Sequence, residues 1–148
     1  MRGFTLLELV LVIALAALLA VAVIPRFTPS PSGIDAASRK IESDILYAQS
    51  LAMSRGVNHG ISFVSGGSYV LYRGSVGIPI LDPLTRQNFS EDLIRFGRTE
   101  VANNFLLEFD PMGQPVLGGG GGGLTLVNGS QTRRLAISPN TGHITVIP

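Results

Sequence analysis

The chain begins Met1-Arg2-Gly3-Phe4-Thr5-Leu6-Leu7-Glu8 and continues with sixteen apolar residues, Leu9 to Ile24. A helix over residues 4–24 would rise about 30 Å at 1.5 Å per residue, which matches the hydrocarbon core of a bilayer. Fourteen of these side chains are Leu, Ile, Val or Phe, and together they favour insertion by about 4 to 8 kcal/mol. Glu8 lies near one end of this helix, and its carboxylate opposes membrane insertion by at most about 3 kcal/mol. The pattern predicts a transmembrane helix over residues 4–24.

Three interpretations of this segment compete. An ordinary secretory signal would be cut after Ala22, at Ala20-Val21-Ala22, and would release a soluble protein such as an enzyme. Its positive region would be only Met1-Arg2, and it gives Glu8 no role. A plain membrane anchor also leaves Glu8 unexplained. An ionisable side chain within a membrane segment is a functional hypothesis by default.

The residues Gly3 to Glu8 and the apolar run after them resemble the class III signal of type IV pilins and of type II secretion pseudopilins. The resemblance implies that a prepilin peptidase removes residues 1–3 by cutting between Gly3 and Phe4. It also implies that the new Phe4 amine is N-methylated, and that Glu8 pairs with this amine on a neighbouring subunit during assembly. Such a cut places Glu8 in the first helical turn, beside unpaired N–H groups. A charge among packed apolar helices is tolerable only when it is paired.

Residues 25–33 form a Pro-rich joint that contains Pro25, Pro29 and Pro31. Proline removes a backbone donor and crowds the preceding turn, so we expect the helix to break here. Pro25 resembles the proline that pilins carry near the membrane end of their long helix. Pro29 and Pro31 depart from that pattern, which leaves open whether the helix is continuous.

The remaining residues, 34–148, are enough for one globular head domain with its own core. This part has nine basic and nine acidic residues and is formally neutral, and the chain has no cysteine. The composition excludes disulfides and thiolate metal sites. It also offers no clustered charge for a phosphate backbone, so we do not expect a nucleic-acid partner. The adjacent pair Arg133-Arg134 is explained more simply as a solvated strand face.

A second, amphipathic helix is predicted from an apolar stripe at helical spacing that should dock on a sheet. Ser32 or Asp35 is placed to cap its start, while Arg55 and Gly56 suit its last turn and a left-handed C-terminal cap. The stripe consists of Ile34, Ile41, Ile45, Ala48 and Ala52, with Leu51 beside it.

After Gly56 the pattern changes to short strand-like runs separated by turns, which predicts a mainly antiparallel sheet. Turn signals stand at residues 65–68, 110–113 and 139–142. We expect loops at residues 74–92 and in the hexaglycine run 118–123, and predict these to be the most mobile parts of the head. The predicted strands are Val57–Val64, Tyr69–Arg73, Leu93–Phe96, Phe105–Phe109, Leu124–Val127, Arg133–Ile137 and His143–Ile147.

The order of anchor helix, amphipathic helix and strands resembles the GspH/FimT group of minor pseudopilins and minor pilins. Residues 45–56 and the turn Phe109-Asp110-Pro111-Met112-Gly113-Gln114-Pro115 carry this second likeness. It implies a pilin-like α+β fold, in which a transmembrane helix precedes an amphipathic helix packed on an antiparallel head. It also implies an inner-membrane, single-pass subunit with a periplasmic C-terminal domain. The implied partners are other pilin-like subunits, the prepilin peptidase and an inner-membrane assembly platform.

No catalytic signature appears in the sequence, so we expect no enzyme activity, cofactor or metal. His59 and His143 are the only imidazoles, and each stands at a predicted strand end where an exposed or capping role is ordinary. A DNA-uptake minor pilin of this group would resemble one with a basic Gly-Arg-x-Arg stretch near the C-terminus, where this chain has Gly142-His143-Ile144-Thr145. This departure weakens the case for DNA binding and leaves ordinary pilus assembly open. We favour a type II secretion pseudopilus, although type IV pili use subunits that share the other features.

Overall fold

The structure is a computed structural model that describes residues 6–23, 33–119 and 122–147. Its contacts divide the chain into two compact units, Met1–Ser30 and Pro31–Pro148. The described part of the first unit is helix α1, Leu6–Val23. Residues 25–32 of the predicted joint lie outside the described residues.

In the sequence of helix α1, every residue except Glu8 is apolar. Every side chain from Leu6 to Ala16 is exposed. Across the side chains that the structure describes, no helix reaches the length and hydropathy of a membrane span. The predicted span over residues 4–24 extends beyond this described part and stays a prediction.

Helix α2, Gly33–Arg55, follows the predicted stripe. Ile34, Ile41, Ile45 and Ala52 are fully buried, because these positions recur on one face of a helix with 3.6 residues per turn. Ser32 lies outside the described residues, whereas Asp35 stands in the first turn and Arg55 in the last. Gly56 ends the helix as predicted, with a φ of 64°.

The sheets are antiparallel throughout the described residues. The first sheet has the strand order β3-β2-β1-β6-β7, with β4 also paired to β2, and the second has the order β10-β9-β8-β5. The strands are β1 His59–Val64, β2 Ser68–Arg73, β3 Ser75–Pro79, β4 Ser90–Asp92, β5 Glu100–Val101, β6 Phe105–Phe109, β7 Pro115–Leu117, β8 Gly123–Asn128, β9 Gln131–Ile137 and β10 Ile144–Ile147.

The core lies between α2 and the two sheets. Helix α2 contacts β1 and β6 of the first sheet and β8 and β9 of the second. The strands alternate in burial, so each sheet turns one apolar face inward. The fully buried strand side chains include Ile61, Leu71, Leu107, Phe109, Leu124, Leu126 and Leu135. The prediction that the α2 stripe docks on a sheet is confirmed, and the helix serves both sheets.

The three predicted turns are present. Gly67 N–H donates to the carbonyl of Val64 between β1 and β2, and Gly113 N–H donates to that of Asp110 between β6 and β7. The turn between β9 and β10 closes with the Gly142 N–H on the carbonyl of Ser138.

Two predictions about secondary structure are wrong. The segment 93–96 is not a strand, because Leu93–Arg95 forms a short 3-10 helix. The side chain of Asp92 accepts a hydrogen bond from the Ile94 N–H at 2.9 Å, which caps the turn and competes with an extended backbone.

Residues 74–92 are not a simple loop. They contain β3 and β4, and they bury Ile80 and Phe89 in the core. Backbone hydrogen bonds join Ile80 to Leu71 and Phe89 to Ile80. The pattern did not reveal these strands because prolines and polar residues interrupt the apolar positions. Strands β5 and β7, of two and three residues, were also missed, and residues 120–121 of the hexaglycine run lie outside the described residues.

Ile41→Ala should lower the free energy of unfolding by about 2–5 kcal/mol, because it removes buried atoms and leaves a cavity where the helix meets the strands. Chemical denaturation of the full chain in a nonionic detergent measures the change. Leu46→Ala is the matched control on the same helix, since Leu46 is 51% exposed and a surface change is worth about 0.5 kcal/mol or less. Equal effects of the two substitutions would contradict the packing described.

Candidate functional site

The predicted assembly residues fall at the beginning of the chain. Gly3 and Phe4 lie outside the described residues, so their predicted cleavage and methylation stay predictions. Glu8 lies in the first turn of α1, and its side chain is exposed. The first-turn N–H groups and the positive end of the helix dipole favour a carboxylate at this position. The predicted pairing of Glu8 with a neighbouring subunit is not tested by a single chain.

The described surface of α1 is unusual for a water-exposed helix. Leu6 and Leu7 are 81% and 77% exposed, and the Leu, Val and Ile residues from Leu9 to Leu15 are more than half exposed. Covering one such side chain is worth about 1.5–3 kcal/mol. A contiguous apolar surface of this kind marks an interaction site with protein or membrane.

A chain of ion pairs ties α2 to the first sheet within the head. Lys40 Nζ lies 2.6 Å from both carboxylate oxygens of Asp44 and 3.3 Å from Glu91 of β4. The Arg95 Nη2 atom lies 2.6 Å from the other carboxylate oxygen of Glu91, Oε2. The Lys40 ammonium also lies 5.3 Å from the centre of the Phe89 ring. Because Asp44 is buried, these partners offset the cost of removing its charge from water.

Tyr69 of β2 completes this polar cluster. Its hydroxyl donates to Asp44 Oδ2 at 2.5 Å, and the residue is fully buried. Burial raises the pKa of Tyr69 above its ordinary value, and the nearby Asp44 carboxylate raises it further. The Lys40–Asp44 spacing of four residues is a signal that sequence reasoning could have used, whereas nothing in the sequence links Tyr69 to Asp44.

A second polar cluster crosses the opposite face of the first sheet. Tyr72, Gly60 and Glu108 are neighbours on β2, β1 and β6, and the Tyr72 hydroxyl donates to Glu108 Oε2 at 2.8 Å. A Cβ on Gly60 would lie 2.5 Å from the Tyr72 hydroxyl, so the missing side chain lets the ring cross the middle strand. Asn58 donates to the other oxygen of Glu108 at 2.7 Å. Burial, followed by the hydrogen bond to Glu108, raises the pKa of Tyr72.

Of the two predicted roles of His59, the exposed one is wrong, because His59 is fully buried. Its ring shares the inward face of β1 with Ile61 and Phe63, as the two-residue period requires. The Nδ1 atom lies 2.7 Å from the carbonyl oxygen of Val57, and Nε2 has no hydrogen-bond partner among the described residues. His143 is exposed as predicted.

The described residues hold no group of three or more His, Asp or Glu side chains arranged to bind a metal ion. The predicted lack of a cofactor and of catalysis stays a prediction. Of the basic pair on β9, Arg134 is exposed as predicted. Arg133 instead reaches α2, where its Nε lies 3.4 Å from Asp35.

Tyr69→Phe should lower the free energy of unfolding by about 1–3 kcal/mol at neutral pH, since it removes a hydrogen bond to a buried carboxylate. The substitution should also change how the free energy of unfolding depends on pH above pH 10. The pKa values of Tyr69 and Tyr72 are raised above 10.0 by folding, so their contribution is complete below pH 10 and declines above it. There the unfolded chain releases protons that the folded chain retains, and each group adds a slope of about 1.4 kcal/mol per pH unit.

Denaturation of the full chain across neutral and alkaline pH measures both effects. Tyr69→Phe should reduce the alkaline slope by about half. Tyr47→Phe is the matched control, because the hydroxyl of Tyr47 forms no hydrogen bond with a described residue and the residue is half-buried. If Tyr69→Phe leaves the slope of the unfolding free energy against alkaline pH unchanged, the raised pKa of Tyr69 is contradicted.

The comparisons with known proteins concern the fold. No sequence-family model matches the chain, and no curated protein matches it either. The chain is similar to two crystal forms of the type IV minor pilin FimU from Pseudomonas aeruginosa. One has a TM-score of 0.55 at 18% identity over 76% of this chain and 91% of the FimU chain. The other has a TM-score of 0.57 at 20% identity over 76% and 87%. The chain therefore has a type IV pilin-like α+β fold.

Proposed function

We propose that the chain is a minor pilin-like subunit that assembles through its N-terminal helix into a filament, the tip-associated periplasmic pseudopilus of a type II secretion system. One combination of observations supports this proposal. A motif that resembles the class III signal, residues 3–8, precedes an apolar helix, and the head behind it has a pilin-like fold. A secretory signal accounts for an apolar segment but gives Glu8 no role.

The mechanism is assembly rather than turnover. The prepilin peptidase cuts between Gly3 and Phe4, and the amine of Phe4 becomes N-methylated while it keeps its positive charge. Glu8 then pairs with the Phe4 amine of a neighbouring subunit, which fixes the register between the two helices. The pairing is selective because a carboxylate left unpaired among apolar helices is costly.

The apolar surface of α1 has two successive environments in this proposal. It first lies in the bacterial inner membrane, with the head in the periplasm, and it then packs against sister helices in the filament core. Both environments cover the exposed side chains between Leu6 and Ala16. The assembly platform in the inner membrane transfers the subunit from one to the other, and the head determines which subunits it joins.

A minor pilin of a type IV pilus, in pilus assembly or DNA uptake, is the second candidate. The likeness to FimU supports this candidate at the level of the fold. Against DNA uptake, the position of the basic stretch of such pilins is taken here by Gly142-His143-Ile144-Thr145, and His143 is its only titratable side chain. We therefore prefer the secretion machine over DNA uptake, and ordinary pilus assembly stays the second candidate.

The mature mass should correspond to a chain that begins at N-methylated Phe4. Intact-mass spectrometry of the protein purified from membranes of a bacterium that has a prepilin peptidase measures it. A mature chain that begins at Val23 would contradict the proposal and support the secreted soluble protein. Gly3→Leu provides the control, since it should leave the leader uncut.

Glu8→Ala should leave cleavage intact but strongly reduce incorporation into filaments, because the Phe4 amine then lacks its partner. Glu8→Asp is the matched control that keeps the charge on a shorter side chain, and it should retain part of the assembly. Recovery of the subunit in sheared filament fractions is the measurement. Normal assembly of Glu8→Ala would remove the pairing mechanism.

Bacteria that carry the Glu8→Ala variant distinguish the type II secretion system from the type IV pilus. Secreted proteins in the medium and filaments on the cell surface are measured in parallel. A defect limited to secretion supports the pseudopilus, whereas a loss of surface filaments supports the pilus.

A further inference from the structure

A cleft of about 330 Å³ lies where α2 ends, and its function is not explained by assembly through α1. It is lined by Arg55 in the last turn of α2, by Arg73 at the end of β2, and by residues 78–81, which begin in the edge strand β3. The pairing of β2 with β3 shifts in register at Arg73. The cleft thus combines two guanidinium groups from different elements with an apolar segment.

The two arginines are available for a ligand. Both are exposed, and neither forms an ion pair with a described residue, since the ion pairs of this part of the chain use Lys40, Arg95 and Arg133. None of the residues that line the cleft is acidic. The helix dipole explains a basic residue at the end of α2, but it does not explain a second one supplied by β2.

The nearest acidic residue in the sequence beyond the cleft segment is Asp82. Its carboxylate accepts hydrogen bonds from the backbone N–H groups of Leu84 and Thr85 at 2.7 and 3.3 Å. This carboxylate is therefore engaged in its own turn. Neither Asp82 nor another described carboxylate forms an ion pair with Arg55 or Arg73.

The rest of the cleft is apolar. Ile78 and Leu81 are 51% and 62% exposed, whereas Ile80 between them is buried. Exposed apolar side chains that lie beside charged ones favour a ligand that offers both kinds of group. A guanidinium binds a carboxylate through two parallel hydrogen bonds, which gives direction as well as charge.

Two other modes of binding fit less well. Strand addition to the edge of β3 requires free N–H groups, and Pro79 has none. Nucleic acid binds through many phosphate contacts, but the cleft offers two cations next to apolar side chains, on a head that is formally neutral. Recognition here depends on side chains and favours carboxylates over a phosphate backbone.

We propose that this cleft binds an extended acidic segment of a partner protein, in which Asp or Glu stands next to Leu, Ile or Phe. Arg55 and Arg73 hold the carboxylates, and the apolar side chains of the segment lie on Ile78 and Leu81. The cleft gives the head its own basis for selecting a partner. That the partner is another filament subunit rests on the proposed function, whereas the binding chemistry does not.

Fluorescence anisotropy tests the proposal with the purified full chain in a nonionic detergent. The probes are short labelled peptides in which Asp or Glu alternates with Leu, Ile or Phe. In the control peptides, Asn and Gln take the place of every Asp and Glu. Arg55→Gln and Arg73→Gln should each weaken binding of the acidic peptides by about tenfold or more, because each removes a charge-assisted hydrogen bond. Leu81→Ser should weaken binding without a change in its salt dependence.

Arg39→Gln is the matched control, since Arg39 is an exposed residue of the same helix that does not line the cleft. It should bind the acidic peptides as the unaltered chain does. Three results would overturn the proposal: equal binding of the amide peptides, an equal effect of Arg39→Gln, or no binding by any acidic peptide. Tighter binding of a labelled DNA duplex that depends on Arg55 and Arg73 would also overturn it.

The binding measurement does not involve the filament. If the unaltered chain binds the acidic peptides but does not enter filaments, the proposed function is refuted and the cleft proposal stays in place. Normal assembly together with a cleft that binds no acidic peptide would refute only the cleft proposal.

Discussion

The head depends on one constraint, which is that a single apolar stripe of α2 is shared by two sheets. Ile41, Ile45 and Ala48 lie in the same buried cluster as strand residues from both sheets. Each sheet is antiparallel and has one apolar face, and such a face must be covered. The helix covers both faces, so the mutual position of the two sheets follows from its packing.

The polar clusters refine this arrangement. Asp44 occupies a buried position on α2, and it is held by Lys40 from its own helix and by Tyr69 from the first sheet. A buried carboxylate with specific partners fixes which residues face each other more sharply than apolar contacts do. On the other face of the sheet, Gly60 has the complementary role of leaving space for the Tyr72 ring.

The two units of the chain bury their apolar residues in different ways. The head encloses Ile61, Leu107 and Leu124 in its own core, whereas the described part of α1 leaves its apolar side chains exposed. A helix with this surface requires another molecule or a membrane to cover it. In the proposed function, that cover changes from lipid to sister helices, and the cleft at the end of α2 adds a separate contact for a partner.

The sequence by itself determined the helix pattern, the antiparallel class and the turns, because these depend on spacing between near neighbours. It also supplied the motif from Gly3 to Glu8, which no contact within one chain can test. Only the tertiary structure decided how the elements combine: that β1 pairs with the distant β6, that residues 74–92 contribute two strands, and that Arg55 and Arg73 line one cleft. Such juxtapositions join residues far apart in the chain, and local periodicity carries no information about them.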